Sequence, residues 1–297
     1  MALRDFVLLM AMCLVWAVNN IVSKYVVSTL EVPPLFYAAA RFAIVAACLI
    51  PFLTPAPRPL WRLVITAFLM GGGSFGFMFV GLKYATPSAA AVVLQLGMPM
   101  TLILSVAFLG ERVRWRRGLG IALTFAGVLT VMWDPKGFAL SMGLLLIAAS
   151  TLMSSIGVIL TKQIEGMRPI TFQAWVGLVS LIPMAALSAW LEPGQVAVAM
   201  EAGWRFWTAL VFSAVVVSLG AHTVYVTLLQ KYEANLISAL VLVTPLATIA
   251  LGVIVMDDPF GPRLILGSIL ALAGVLIIAL RGSQVMAMLL ALRNRGE

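Results

Sequence analysis

The feature that most limits what this chain can fold into is its punctuation: ten apolar runs of similar length, divided by Pro, Gly and charge. They lie at 4–24, 34–54, 61–82, 87–109, 115–133, 138–161, 169–191, 204–229, 234–256 and 261–280. A helix needs about 20 apolar residues to cross the hydrocarbon of a bilayer, so each run is one expected span. Composition agrees. Of 297 residues, 63% are hydrophobic and 10% charged, against roughly half and a quarter in soluble domains. A soluble fold of this length buries only about 75% of the surface its chain exposes and cannot hide so much apolar area. A soluble enzyme, a disordered tail and a nucleic-acid binder are therefore excluded. So is an outer-membrane barrel, whose strands alternate polar and apolar residues. The expected fold class is an all-α polytopic membrane protein with ten transmembrane helices. The run Val285–Leu292, after Arg281, is too short to span, and 282–297 reads as a tail or interfacial helix.

The net charge of +8 is a topology signal. Ten spans put both termini on one side. That side collects Arg4, Arg58, Arg62, Arg112, Arg114, Arg116, Arg117, Lys162, Arg168, Lys231, Arg281, Arg293 and Arg295, which is 13 of the 19 basic residues. Lys24, Arg41, Lys83, Lys136, Arg205 and Arg263 remain for the other. Lys and Arg accumulate on the cytoplasmic side, so both termini are expected to be cytoplasmic. No Ala-x-Ala cleavage site precedes the end of the first span, and the N-terminus reads as retained. Cys13 and Cys48 lie inside apolar runs and read as small buried hydrophobes rather than a disulfide framework or metal site.

The two halves of the chain look alike. Gly72, Ser74, Phe77, Lys83 and Tyr84 match Gly220, His222, Tyr225, Lys231 and Tyr232 at a constant offset of 148. Pro99 and Glu111 match Pro245 and Asp257 at offset 146, and Gly120 and Gly127 match Gly267 and Gly274 at offset 147. Lys24 with Lys162, and Phe36 with Phe172, extend the series toward the start. The matches run in order through the whole half. Each half holds five spans, an odd number, so the second must enter the membrane from the opposite side. Two inverted halves can exchange conformations, which makes outward-open and inward-open shapes similar in energy. Many secondary transporters are built this way.

The residues resemble a known family. Pro87-Ser-Ala-Ala-Ala, Pro99, Phe108-Leu-Gly110-Glu111-Arg112, Gly118-Leu-Gly120 and Ala126-Gly127-Val128 look like the EamA domain of the drug/metabolite transporter superfamily. Asn235-Leu-Ile-Ser-Ala, Pro245, Met256-Asp257-Asp258, Gly267 and Ala273-Gly274-Val275 form a looser second copy. Trp16-Ala-Val-Asn19-Asn20, Lys24, Val32-Pro33-Pro34 and Arg41-Phe42 fit the family's opening. The resemblance covers residues 4–280 and implies ten spans, two inverted five-span repeats (1–136 and 137–281) and a substrate path between them. Within the family the chain is most similar to the YddG-type exporters of aromatic amino acids and related metabolites.

Several residues carry candidate roles. His222, the only histidine, lies inside a span with Tyr225 three positions on, one turn later on the same face. An ionisable group in the membrane faces a partner or a cavity, so a bond to a neighbouring helix, a substrate contact and a proton carrier are its three readings. Asn19 and Asn20, beside Trp16, bridge helices or bind a polar ligand head. Gln95, one turn before Pro99, and Ser154 with Ser155 have the same two readings. Trp16, Phe75, Met78, Phe79, Met98 and Trp175 line an apolar pocket or form core. Pro99 and Pro245 lie about a dozen residues into their spans, where a Pro removes one backbone bond and kinks the helix; packing and hinging are its two readings. Thr86-Pro87 reads as an N-cap followed by Pro at the first helical position, with Asn235 as the capping counterpart. Arg41 snorkels to the outer surface or pairs with Glu31. Glu111-Arg112 reads as an ion pair at a cytoplasmic turn. Gly71-x-Gly73-x-x-Gly76 spells a dinucleotide fingerprint but sits inside a span with no strand before it, so it reads as close helix packing or a cavity wall. Trp61, Trp115, Trp133, Trp190, Trp204 and Trp207 lie near span ends and read as the interfacial belt.

Absences narrow the chemistry. No carboxylate lies deep in a span, which disfavours a cation carrier. Only Arg41 approaches the deep cations a phosphate carrier needs. No phosphate loop, His-Glu-x-x-His or Gly-x-Ser-x-Gly appears, so an ATP-driven pump and an enzyme are not expected, nor are a catalytic residue, a metal or a cofactor. A zwitterion fits what is left: dipoles for its charges, Trp, Phe and Met for its side chain. The expectation is a secondary transporter in the bacterial inner membrane that exports aromatic or large neutral amino acids and related metabolites by alternating access. The candidate substrate contacts are Trp16, Asn20, Phe79, Gln95, Met98, Ser155, His222 and Tyr225, with Pro99 and Pro245 as hinges. Its partners are the small-molecule substrate and the bilayer, with no nucleic acid and no obligate protein partner evident. The alternatives are another metabolite, a nucleoside or a drug as cargo, and a membrane scaffold without flux.

Overall fold

The computed structural model describes residues 1–56, 58–110, 114–134, 139–161, 163–164 and 168–280. The Glu111-Arg112 pair, Lys162 and the tail 282–297 lie outside the described residues. The long helical runs are α1 (Leu3–Thr29), α2 (Pro34–Phe52), α3 (Leu60–Tyr84), α4 (Pro87–Leu109), α5 (Trp115–Met132), α6 (Met142–Thr161), α7 (Pro169–Leu191), α8 (Gly203–Leu229), α9 (Leu236–Val255) and α10 (Pro262–Ala279). Among the described residues nine are long and apolar enough to cross a membrane. The exception is α5, whose first turn carries Arg116 and Arg117. One feature is not helical: β1 (Trp133–Asp134) pairs antiparallel with β2 (Ala139–Leu140) in the turn after α5.

Local chemistry sets the starts. Pro34, Pro87, Pro169 and Pro262 each open their helix, where a missing N–H costs nothing. The Thr86 side chain accepts the Ala89 N–H at 3.2 Å, as a cap should. Its expected counterpart is corrected: the helical segment Ala234–Val241 that leads into the α9 span has Glu233 at the cap position, so Asn235 is already inside the first turn.

The interior breaks come in matching pairs. In α4 a 3₁₀ turn at Leu94–Leu96 separates two α segments, and Pro99 is the third residue of the second. In α9 the chain breaks at Leu242, and Pro245 is the third residue of the segment beyond the break. Both prolines therefore sit just past a kink, as expected of Pro in a span. In α3 a π turn covers Leu69–Gly73, with Gly71 outside helical geometry at φ −106° and ψ −108°. In α8 a π stretch covers Phe212–Ala221. At the repeat offset of 148 the first maps onto the end of the second.

Small residues set the packing. Gly120 lies against Gly274, and Gly127 against Gly267, where α5 and α10 cross antiparallel. A Cβ on Gly127 would sit 2.5 Å from the Gly267 carbonyl. Gly71, Gly72 and Gly73 are buried against α7 and α6, and the Gly72 N–H donates to Ser180 Oγ at 2.7 Å. The glycine pattern in α3 is thus close packing, the first of its two readings. Cys13 is buried but Cys48 is exposed; it lies on the outer face of α2, so the burial expected for it is corrected.

Contacts at the helix ends share one polarity. At one end the Lys24 ammonium donates to the carbonyls of Leu82 at 2.8 Å and Lys83 at 3.3 Å. There too Glu192 accepts the Leu35 and Phe36 N–H groups at 2.9 and 2.8 Å, and Asp258 accepts the Ser88 N–H at 2.9 Å and its hydroxyl at 2.5 Å. Glu192 caps the start of α2 this way, a place where the helix dipole favours an anion. At the opposite end Asp5 takes the Lys231 ammonium and the Tyr232 hydroxyl, each at 2.6 Å. These sets contain the ends that the charge reading assigns to the outside and the inside respectively.

Candidate functional site

One connected set of buried polar groups joins α1, α2 and α8. On α2, Tyr37 and Arg41 are four residues apart, so they share a face. Arg41 is only 2% exposed. Its Nε and Nη2 both donate to Ser218 Oγ, at 3.0 and 2.9 Å, and its carbon centre lies 4.6 Å from the centroid of the Phe75 ring. Ser218 passes its own hydrogen to the Ser213 carbonyl at 3.1 Å. Ser213 Oγ donates to Asn19 at 2.8 Å and lies 2.5 Å from the Tyr37 hydroxyl. Both serines belong to the π stretch of α8, whose widened turn orients them toward α1 and α2.

The expected fate of Arg41 is therefore corrected. It neither reaches the outer surface nor pairs with Glu31, because it lies seven residues past Pro34, roughly 10 Å down the helix at 1.5 Å per residue.

One turn beyond Ser218, His222 Nδ1 lies 3.0 Å from the Val217 carbonyl. A carbonyl only accepts, so Nδ1 carries the hydrogen and Nε2 of a neutral ring is left as an acceptor. Trp16 packs on this ring at 5.3 Å between centroids, and on Tyr225 at 5.4 Å. The three form a half-buried aromatic cradle between α1 and α8. The Trp16 Nε1 hydrogen, the Arg41 Nη1 group and the Gln95 amide nitrogen are buried with no partner among the described residues. A buried donor without an acceptor is costly; Ser23, Arg62, Thr66 and Thr244 carry four more such atoms among the described residues.

The other expected contacts divide. Asn20 donates to Thr248 on α9 at 3.2 Å. Gln95 and Met98 are half-buried on α4 next to its kink. Ser155 is buried and donates to the Gly97 carbonyl at 3.2 Å, which holds α6 on that kink. Phe79 is fully buried, 4.9 Å from Tyr37 and 5.6 Å from Phe75, so it backs the site from within the core. The Trp175 indole donates to the Leu53 carbonyl at 3.1 Å. Sequence reasoning did not single out Tyr37, Ser213, Ser218 or Thr248. Their one signal, hydroxyls inside apolar runs, recurs too often to select them. The depth of Arg41 was the readable clue.

Apolar spans that enclose polar groups and partnerless donors are the build of a helical membrane transporter. The model of the EamA-like transporter family matches residues 5–133 and 141–280, and the chain belongs to that family. A protein named "Probable amino-acid metabolite efflux pump" from Escherichia coli (strain K12) is 28% identical over 286 residues, covering 93% of this chain and 95% of that protein. Its namesake from Salmonella typhimurium is 26% identical over 289 residues, with the same coverage of 93% and 95%. An "Uncharacterized transporter" from Archaeoglobus fulgidus is 26% identical over 270 residues, covering 89% and 94%. A solved crystal structure superposes with a TM-score of 0.62 at 20% identity, covering 93% of this chain and 96% of the other, and so shares the fold. The chain is thus a multi-pass membrane transporter with a small-molecule substrate and a lipid environment.

Proposed function

We propose that this transporter is a secondary carrier that exports amino acids, aromatic or large neutral ones and their relatives, across the bacterial inner membrane by alternating access. The observation that carries the reading is the Trp16–His222–Tyr225 cradle, an aromatic seat whose own Trp16 Nε1 lacks an acceptor among the described residues. Indole and phenol faces take an apolar or aromatic side chain. Amides, hydroxyls and a neutral imidazole suit a cargo whose charges nearly cancel. The names of the two enteric relatives support amino-acid metabolites as the class.

The architecture in this reading is ten spans, with α5 as the fifth, in two inverted repeats at 1–136 and 137–281 and both termini cytoplasmic. The α5–α10 crossing supports it. Gly120 and Gly127 match Gly267 and Gly274 in the repeat but pack against Gly274 and Gly267. A two-fold axis between antiparallel helices makes that exchange. The paired π turns and paired Pro breaks support it as well. Pro99 and Pro245 serve as the hinges, and Asn20, Gln95, Met98, Ser155 and Phe79 shape the path around the cradle.

Counterflow in proteoliposomes tests the function. Vesicles loaded with unlabelled phenylalanine should accumulate labelled phenylalanine from outside at zero pH gradient and zero potential, and His222→Ala should reduce the uptake. Uptake equal to that of protein-free vesicles would refute the amino-acid reading, and a competition panel of nucleosides and drugs would then find the cargo.

A further inference from the structure

A guanidinium is always charged in a protein and carries five donors in a rigid fork. Buried charges persist when an opposite charge or a full set of hydrogen bonds compensates them. Arg41 has neither. It is 2% exposed, no carboxylate pairs with it among the described residues, and its Nη1 has no partner. Among the described residues its one hydrogen-bond acceptor is Ser218 Oγ, gripped by Nε and Nη2 together. That edge of the fork is shaped for the two oxygens of a carboxylate, and one hydroxyl oxygen stands there instead. A structural clamp between α2 and α8 would be served by a serine, an asparagine or a glutamine without burying a charge. What the fork lacks is an anion, and no described residue supplies one: Tyr37 stands beside it on α2, Phe75 on α3, and Ser213 and Ser218 on α8.

We propose that Arg41 is the anchor for a carboxylate on the transported molecule, and that Ser218 occupies the anchor while the site is closed. The proposal rests on the transporter reading above and deepens it by naming the group of the cargo that is recognised. Binding exchanges Ser218 Oγ for the carboxylate. The exchange releases one of the two polar ties between α2 and the π stretch of α8, the other being Tyr37 with Ser213, so cargo capture is coupled to loosening of that contact. In this arrangement Arg41 takes the acid end, His222 Nε2 accepts from an ammonium group, and the Trp16 and Tyr225 faces hold the apolar remainder. Expected cargo carries a carboxylate at one end and an apolar body at the other.

The test is binding and counterflow with an analogue panel of one shape: phenylalanine, phenylpyruvate, phenylalaninamide and phenethylamine. On the unmodified protein the two acids should stabilise the purified carrier against heat and compete for flux, while the amide and the amine should not. Arg41→Gln should raise the apparent KM for phenylalanine by about ten- to a hundredfold, the worth of hydrogen bonds to a charged group, with Arg41→Lys in between. Ser218→Ala should move the other way. It removes the resident competitor and lowers KM by up to about tenfold, whereas a purely structural serine would leave KM unchanged or raise it. If Arg41→Gln does not fold, the panel and Ser218→Ala decide alone. Amide or amine binding as tightly as acid, or an unchanged KM in Arg41→Gln, would overturn the anchor and leave the amino-acid carrier standing. Phenylpyruvate carried without phenylalanine would do the reverse: the anchor would hold and the amino-acid reading would fall.

Discussion

Single carboxylates at the helix ends tie the spans together. Asp258 takes both the backbone N–H and the hydroxyl of Ser88, and it is buried. Removing it leaves the Ser88 N–H at the start of α4 without an acceptor, while the hydroxyl keeps the Ile249 carbonyl at 3.4 Å. Asp258→Ala should therefore cost about 1–3 kcal/mol for the one orphaned group, read as a lower unfolding temperature in detergent. The Asp5–Lys231 tether behaves differently. The Asp5 hydrogen bond and charge hold the Lys231 ammonium above its ordinary value of 10.5. A group raised by folding lends stability below its ordinary value and loses it as pH climbs through the raised one. The unfolding temperature of the native protein should thus fall more steeply above about pH 10.5 than that of Lys231→Met. The difference will be small, because the lysine side chain is 57% exposed and exposed pairs are weak. At this scale the sequence was legible for His222 and Tyr225, whose three-residue spacing puts them on one face of α8; that Trp16 packs on both comes from the fold alone. It misled for Arg41, because snorkelling depends on depth as well as residue type, and for Cys48, because an apolar run does not say which face is inward.

Glycine is the element-scale determinant, since it sets how closely two helices approach. At the α5–α10 crossing a Cβ on Gly127 would sit 2.5 Å from both the Gly267 carbonyl and the Ala271 nitrogen, and one on Gly120 would sit 2.7 Å from the Gly274 carbonyl. These neighbours are backbone and cannot turn aside. Gly127→Val should separate the helices at a cost of about 1–3 kcal/mol or more and lower the folded yield. Gly118→Ala, one turn from the helix start with nothing within 4 Å of the added carbon, should be neutral or slightly stabilising. Folded yield by size-exclusion profile separates the two. Element positions were largely readable from apolar runs and from Pro at helix starts, because hydrocarbon thickness fixes span length. The π stretches in α3 and α8 were not. No residue type encodes an added backbone residue in a turn, and such turns arise from what neighbouring helices demand.

Contacts between distant parts of the chain lie at both ends of the described helices: Ser88–Asp258 and the Glu192 cap on α2 at one, Asp5–Lys231 at the other. In the proposed mechanism each of these contacts joins one repeat to the other. Rocking of the proposed repeats would open each face in turn, so every cycle of that mechanism breaks both sets of contacts. Disulfides make this measurable. Ser88→Cys with Asp258→Cys, and separately Asp5→Cys with Lys231→Cys, should each stop counterflow on oxidation and release it on reduction. Trp133→Cys with Leu140→Cys joins register partners of the β1–β2 turn, at the junction where the chain already ties the two proposed repeats together, and should leave counterflow intact. The same cysteines read the sidedness that charge predicts. In sealed inverted and right-side-out vesicles an impermeant maleimide should reach position 88 from the external face and position 5 from the cytoplasmic face. If either single crosslink left exchange at the native rate, that face would not need to open, and alternating access between the repeats would be the wrong mechanism for this fold.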